Sequence, residues 1–312
     1  MKINENSFTA ADTLPYKLLS NGDLVNLINS EKIPPYHLQF YPTNRCNLNC
    51  SFCCCSKIDR KIEMSIEEIK KVVPHFAQLG TKAVTLIGGG EPTVHKNFNE
   101  MVQIFIENNI KVGMVSNGIK FPKAIKYMDW VRISSSDERI LPEVPVNKFP
   151  SVDWAYSYVL TDNVNIENLI NHILFAEKNN FTHIRIVRDL LDVQDNLIEE
   201  VKEKIKYITD KVSLPIIWQD RRPTFQHGEN PCLVSLLRPL LTADGTVYPC
   251  CSIQYAVPEP QHNLDSNYKM CHWTEYNSLN PFDGSICIRC SYGRYNEVLK
   301  KLSNNSIHKE FL

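Results

Sequence analysis

The stretch that decides the fold reads Asn-Arg-Cys-Asn-Leu-Asn-Cys-Ser-Phe-Cys over residues 44–53. It sets three thiols, Cys46, Cys50 and Cys53, at the spacing C-x3-C-x2-C among turn-forming residues. A [4Fe-4S] cluster is normally held by four cysteines, so three cysteines would leave one iron open to a ligand that is not protein. Three thiols alone also leave a zinc half-site or a redox-sensing loop open as alternatives.

The cysteine spacing resembles that of the radical S-adenosylmethionine (radical SAM) superfamily. The resemblance implies that the open iron chelates the amino and carboxylate groups of SAM. Electron transfer from the cluster then splits SAM into methionine and a 5'-deoxyadenosyl radical. It also implies that Phe52 lies against the adenine of SAM. Cys54 and Cys55 follow directly, and we interpret them as small, buried side chains because they do not fit the family spacing.

Composition limits the classes of protein to which the chain can belong. A formal net charge of -1 over 312 residues argues against nucleic acid as the substrate. The first residues lack the apolar region of a signal peptide, and no apolar run approaches membrane-spanning length, so we expect a cytoplasmic protein with no membrane partner. The eleven cysteines gather near residue 50 and after residue 230. In a reducing compartment this clustering indicates two metal or redox sites on two modules.

From residue 37 onward, strand-like and helix-like segments alternate. We predict strands at residues 37–41, 83–87, 111–115, 130–134, 154–160, 183–187 and 212–218, and helices at 65–79, 98–108, 166–179 and 197–210. Such units build a parallel sheet with right-handed crossovers. Their number fits the α/β fold of the radical SAM family, a partial (β/α)6 TIM-type barrel. The predicted division is an N-terminal extension (1–36) whose helix over residues 17–28 packs on the main domain, a radical SAM core (37–222) and a C-terminal domain (223–312).

The unusual loops all follow predicted strands, as expected for a site at the carboxyl ends of a barrel. Three glycines after the second strand allow a ligand to approach the backbone, and the resemblance implies that this GGE-type motif recognises the SAM amino group. It implies SAM contacts at the later strand ends too, although an ordinary turn or a solvated arginine would give the same local sequence. The predicted SAM-binding residues are Phe52, Gly88, Gly89, Gly90, Glu91, Ser116, Asn117, Ser134, Arg185 and Val187.

The alternation stops in the C-terminal region, and prolines and cysteines become frequent there. An Asp-Gly turn at residues 244–245 predicts a hairpin that brings Cys232 and Cys250 together. Cys287 and Cys290 form a C-x2-C pair that can complete a four-thiolate site. This layout resembles the twitch domain, a short form of the SPASM domain, and implies one auxiliary [4Fe-4S] cluster. A structural zinc site is the alternative.

Together these features resemble radical SAM enzymes of the SPASM/twitch group. The implied reaction removes a hydrogen atom from a substrate carbon, and a fully ligated auxiliary cluster would accept or relay an electron, which favours a net oxidation and an oxidoreductase. We expect a small polar substrate such as a sugar alcohol or aminocyclitol, and a reducing partner such as flavodoxin or ferredoxin. Oxidation, crosslinking or epimerisation of a peptide or protein side chain is the alternative. A non-catalytic electron-transfer protein would leave the glycine loop without a purpose.

Overall fold

The computed structural model describes residues 14–161, 163–189, 197–219, 226–257, 262–277 and 280–303. The expected boundary between core and C-terminal domain, at residues 222 and 223, lies outside these ranges. The described residues form one sheet of ten strands in the order β10-β9-β8-β1-β2-β3-β4-β5-β6-β7. The chain is therefore built on a single sheet that the C-terminal region extends.

Seven parallel strands form the main part of the sheet. They are β1 (His37–Phe40), β2 (Ala83–Leu86), β3 (Lys111–Ser116), β4 (Trp130–Ser136), β5 (Asp153–Leu160), β6 (Ile184–Arg188) and β7 (Ile216–Gln219). Each pairs in parallel with the next along the chain. Across the described residues the sheet stays open, with β7 at one edge, which confirms the predicted α/β fold of the partial-barrel type.

The C-terminal strands continue the sheet on its other side. β8 (Leu240–Leu241) runs parallel to β1, and β9 (Thr246–Tyr248) and β10 (Cys271–His272) follow in antiparallel order. The predicted hairpin is therefore present as β8 and β9. Its turn uses Gly245 at a φ of 80°, a left-handed conformation that suits glycine.

Eight α-helices accompany the strands in the described residues. They are α1 (Leu14–Leu19), α2 (Gly22–Asn29), α3 (Ile66–Gln78), α4 (Phe98–Glu107), α5 (Ile166–Lys178), α6 (Leu197–Thr209), α7 (Val234–Leu237) and α8 (Gly293–Ser303). α3 begins where the sequence predicts, because the Ser65 hydroxyl accepts a hydrogen bond from the Glu68 backbone at 3.2 Å. The apolar faces of α3 to α6 are buried in one core with the sheet. No helix in these ranges is long and apolar enough to cross a membrane.

Two crossovers differ from the expected strand-helix repeat. The segments between β3 and β4 and between β4 and β5, both fully described, contain only short 3₁₀ helices at Lys123–Tyr127 and Val146–Lys148. Prolines at positions 122, 142, 145 and 150 explain this, since proline lacks the N–H that an α-helix interior requires.

The N-terminal region also differs from the prediction. It forms two helices rather than one, because the chain turns at residues 20–21 and the Asn21 side chain accepts a hydrogen bond from Leu24 N at 3.2 Å, which caps α2. Their apolar faces pack on the C-terminal region instead of the main domain. One buried cluster contains Leu18, Leu24, Ile28, Ile33, Leu233, Val234, Leu236, Leu237, Tyr292, Tyr295 and Leu299.

Gly113 in β3 allows a close approach of the Trp130 ring, and this contact tests the register of β3 and β4. A Cβ at Gly113 would lie 2.1 Å from Trp130 Cε2. We expect Gly113→Val to destabilise the fold by about 2 kcal/mol in urea unfolding, because the added atoms overpack the sheet. Gly22→Ala is the control: nothing lies within 4 Å of its Cβ, and its effect should stay within about 1 kcal/mol. Equal effects of the two variants would contradict the register.

Candidate functional site

A cleft of about 340 Å³ lies at the carboxyl ends of the parallel strands. Every residue predicted for the three-thiol loop and for SAM binding lines it: Cys46, Cys50, Phe52, Cys53, Gly88, Gly89, Gly90, Glu91, Ser116, Asn117, Ser134, Arg185 and Val187. The structure therefore brings the predicted loops of β1 to β6 together in one place. Their individual roles remain predictions.

The glycine loop after β2 lies directly on the start of the cysteine loop. Gly90 N donates to Thr43 O at 2.9 Å, and Glu91 N donates to Arg45 O at 2.8 Å. A Cβ at Gly90 would lie only 1.9 Å from the Arg45 carbonyl oxygen. Glycine is therefore required at this position by close backbone packing.

Tyr41, which follows β1, forms the floor of the same loop. Gly88 and Gly89 have φ values of 46° and 67°, in the left-handed region. A Cβ at Gly88 would lie 2.5 Å from the Tyr41 ring, and one at Gly89 would lie 2.7 Å from Asn44 Oδ1. The absence of side chains at these two glycines lets a buried tyrosine support the backbone that faces the cleft.

Glu91 is buried, and its carboxylate accepts hydrogen bonds from within the protein. Thr93 Oγ1 donates to it at 2.7 Å, Ser116 Oγ at 2.8 Å, Asn117 N at 2.7 Å and Thr93 N at 3.1 Å. These bonds join the ends of β2 and β3. The side chain is thus engaged in positioning Ser116 and Asn117, and the prediction of SAM contact is left to the backbone of the glycine loop.

The cysteine loop is held from two neighbouring strand ends. Asn117 Nδ2 donates to Asn47 Oδ1 at 2.7 Å, and both the hydroxyl and the backbone N–H of Ser51 donate to the Glu138 carboxylate. Arg139 is fixed beside the loop by two carbonyls, Ser134 O and Asn117 O, each at 2.6 Å. Glu138 and Arg139 were not predicted as site residues, although the polar run at residues 137–139 directly after β4 could have indicated them.

The three thiols lie in a setting that suits a bound cation. Burial raises the pKa of the Cys50 thiol, which the Arg139 charge partly counteracts, and burial together with the neighbouring Cys54 raises the pKa of Cys53. A thiolate here therefore needs a positive partner, which an iron ion supplies. None of the eleven cysteines forms a disulfide. The donor set thus fits a three-cysteine cluster, with Cys46, Cys50 and Cys53 as its ligands.

The cleft also has several charged lining residues. Four arginines line it, together with the carboxylate residues Glu91 and Asp189: Arg60, Arg139, Arg185 and Arg188. Gln219 from β7 and Tyr255 from the C-terminal region line it as well. Sequence reasoning identified only Arg185 in this group, because the others reach the cleft through the fold and not through a local motif.

The four predicted C-terminal ligands share one neighbourhood. Burial and the charges of Cys290 and Cys232 raise the pKa of Cys287 to about 12, and burial raises the pKa of Cys232 to about 11. Burial also raises the pKa of Cys250, with further contributions from nearby thiols that include Cys232 and Cys290. A Cβ at Gly284 would lie 3.2 Å from Cys232 Cβ. The donor set fits a four-thiolate centre.

These four thiols, as they are placed, do not form a site for a single metal ion. Among the described residues, no group of three or more His, Cys, Asp or Glu side chains is arranged to hold a single metal ion. Zinc with Zn–S bonds of about 2.3 Å requires its sulfurs to be much closer together than a cubane does, since each cysteine of a cubane binds a different iron. Metal analysis of the protein decides between these two centres.

The two remaining cysteines of the C-terminal region lie outside this set. Cys251 Sγ is 3.4 Å from the Tyr292 hydroxyl, which also accepts a hydrogen bond from Arg238 at 2.8 Å. Cys271 is in β10, where burial and Glu275 raise its pKa. Neither position faces the cleft described above.

The open parallel sheet with a three-thiol loop and a glycine loop at its carboxyl edge defines an α/β enzyme of the partial-barrel class. The profile of the Radical SAM superfamily matches residues 40–133, a stretch that contains both loops.

Curated relatives include GTP 3',8-cyclases. The chain is 30% identical to that of Mannheimia succiniciproducens over 129 residues, 39% of this chain and 37% of the relative. With that of Actinobacillus pleuropneumoniae serotype 5b it shares 25% identity over 205 residues, 64% of this chain and 57% of the relative. The chain thus spans less than two thirds of these relatives.

Solved structures agree with the fold along most of the chain. SuiB of Streptococcus suis bound to its precursor peptide SuiA has a TM-score of 0.55 at 15% identity, covering 96% of this chain and 81% of SuiB. The enzyme anSMEcpe with bound AdoMet has a TM-score of 0.57 at 14% identity, covering 82% of this chain and 83% of that one. At these identities the likeness supports the fold alone.

Glu91 provides a test of how the cleft is held together. In Glu91→Gln an amide N–H₂ replaces one acceptor oxygen among donors, so we expect a loss of about 2 kcal/mol in urea unfolding from buried, unpaired donors. Glu100→Gln is the matched control, because Glu100 pairs with Lys70 at the surface at 2.7 Å and its replacement should change stability by less than about 0.5 kcal/mol. An unchanged stability of Glu91→Gln would show that the bonds to Ser116 and Asn117 do not form.

Proposed function

We propose that the chain cleaves SAM reductively and removes a hydrogen atom from a substrate carbon. The observation that carries this proposal is the single cleft that joins the three-thiol loop to the glycine loop and to the ends of β3, β4 and β6. Bound at Cys46, Cys50 and Cys53, a [4Fe-4S] cluster supplies the electron and the open iron for SAM. The protein supplies orientation and a site shielded from water.

Different residues of the cleft are proposed to bind different parts of SAM. The exposed peptide groups of Gly88, Gly89 and Gly90 hydrogen-bond the SAM amino group, and Phe52 packs on the adenine. Ser116, Asn117 and Ser134 bind the ribose and carboxylate. Arg185, whose guanidinium donates to Ser157 Oγ at 3.2 Å, pairs with the methionine carboxylate, which a guanidinium can bind with two hydrogen bonds. Val187 contacts the adenine. The placement of all these residues around one cavity supports this division.

The C-terminal region is proposed to be a twitch-like domain with an auxiliary [4Fe-4S] cluster at Cys232, Cys250, Cys287 and Cys290. Four thiolates leave no open iron, so the centre would accept or relay an electron rather than bind substrate. This role favours a net oxidation, so the proposed class of enzyme is an oxidoreductase.

The proposed substrate is a small polar molecule. The four arginines that line the cleft favour a polar, anionic ligand over an apolar one. The curated relatives are named for a small polar molecule as well, GTP. Modification of a peptide is the second candidate, since SuiB and anSMEcpe, which share the fold, have been solved with peptides.

The proposal also includes a cytoplasmic location and an electron donor such as flavodoxin or ferredoxin. Eleven free thiols in the chain are consistent with a reducing compartment. A one-electron donor is required because the reaction consumes an electron when SAM is cleaved.

Anaerobic reconstitution tests the cofactor assignment. We expect about eight irons per chain, from two cubane clusters, and 5'-deoxyadenosine formation after reduction. Replacing Cys46, Cys50 or Cys53 with alanine should abolish 5'-deoxyadenosine formation, because the iron that binds SAM is lost. Cys271→Ser is the matched control and should retain both iron and product.

Two results would contradict separate parts of the proposal. Product formation by the Cys46, Cys50 and Cys53 variants would refute the SAM-cleaving centre. Four irons with one zinc would refute the auxiliary cluster alone.

A separate experiment tests the substrate class. Small-molecule fractions and peptide fractions of a cell extract are added to the enzyme, with GTP as a defined probe. The fraction that stimulates 5'-deoxyadenosine formation identifies the class.

A further inference from the structure

Gln254 is a buried amide that links the C-terminal region to the SAM-facing loop. Only 2% of its surface is exposed. Its Nε2 donates to the Tyr41 hydroxyl at 3.4 Å and lies 3.3 Å from Cys55 Sγ. Tyr41 and Cys55 belong to the N-terminal part of the chain, so one side chain bridges two regions about two hundred residues apart.

One partner of Gln254, Tyr41, lies directly against the glycine loop. A Cβ at Gly88 would be 2.5 Å from the Tyr41 ring, and one at Gly89 would be 3.1 Å from it. The other partner, Cys55, lines the same cleft as the loop. A change at Gln254 therefore reaches the backbone of the loop through the Tyr41 ring.

The short helix that carries Gln254 lies close to two of the C-terminal cysteines. Gln254 lies in a 3₁₀ helix, Ile253–Tyr255, four residues after Cys250. At the end of this helix, Ala256 O accepts a hydrogen bond from Ile288 N at 3.1 Å, one residue from Cys287. Cys250 and Cys287 therefore lie near the two ends of the 3₁₀ helix that carries Gln254. The side chains of Tyr41, Cys55 and Ile253 share one buried cluster.

We infer that Gln254 is a positioning residue for the glycine loop, and that SAM affinity depends on it. Its hydrogen bond to the Tyr41 hydroxyl holds the ring against the left-handed Gly88 and Gly89. The role of the C-terminal region then includes shaping the SAM site, in addition to any electron transfer. The naming of SAM as the ligand rests on the proposed function, whereas the effect on the loop does not.

The first measurement is hydrogen exchange of the full chain before iron is added. Gln254→Leu keeps the side-chain volume and removes both contacts, so exchange in the peptide that contains residues 86–92 should become faster, while that of β4 to β6 stays unchanged. Gln103→Leu is the control, since Gln103 lies on the exposed face of α4 and donates to Glu107 at 3.1 Å. Unchanged exchange at residues 86–92, or faster exchange throughout the chain, would overturn the inference.

The second measurement is the dissociation constant of SAM for the reconstituted protein. We expect it to rise about tenfold in Gln254→Leu, as the loss of two hydrogen bonds would give, with the iron content unchanged. Tyr41→Phe should weaken binding less and should add little in the Gln254→Leu background, because the shared bond is already lost. Equal SAM affinity in wild type and Gln254→Leu would overturn the claim on affinity. Failure of the wild type to bind SAM would refute the proposed function, while the exchange experiment still decides the role of Gln254.

Discussion

The cleft depends on one backbone contact, in which residues 90–91 lie against residues 43–45. Two hydrogen bonds of 2.9 and 2.8 Å hold the contact, and its closeness leaves no space for a Cβ at Gly90. The same residues begin the cysteine loop, so the contact positions the three thiols relative to the glycine loop. Glu91 then extends the unit to β3 through Ser116 and Asn117. These short hydrogen bonds join the walls of the cleft that β1, β2 and β3 provide.

Much of the fold could be predicted from the sequence, because parallel strands are buried on both faces and read as short apolar runs. All seven predicted strands of the main sheet appear, and the carboxyl ends of the strands carry the unusual loops as expected. The wrong prediction for the N-terminal helices concerns which element packs against them. An apolar stripe on the N-terminal helices predicts that something covers them, but it does not say whether the main domain or α8 does so. No α-helix was predicted in the crossovers on either side of β4, and their prolines explain why the structure has only 3₁₀ helices there.

In the site, too, local patterns could be predicted from the sequence and distant contacts could not. Cysteine spacing and a run of glycines are local patterns with a chemical reason, and they predicted which loops would meet. Glu138 and Gln254 carry no such pattern, because each acts on a residue far away in the chain: Glu138 on Ser51, 87 positions earlier, and Gln254 on Tyr41, 213 positions earlier. A polar side chain in a loop gives no indication of a distant partner, so only the fold could reveal which residues these two contact.

Cysteines of both predicted sets pack against one shared buried cluster. One buried cluster contains Tyr41, Cys55, Tyr248 and Ile253, with Cys53, Cys250 and Cys287 packed against it. The chain can bury these thiols when they are protonated, but a buried thiolate needs a cation to offset its desolvation. Metal binding at either set, as proposed, would therefore stabilise the same cluster. Since Tyr41 in that cluster also lies against the glycine loop, the proposed C-terminal centre and the proposed SAM site share one buried cluster.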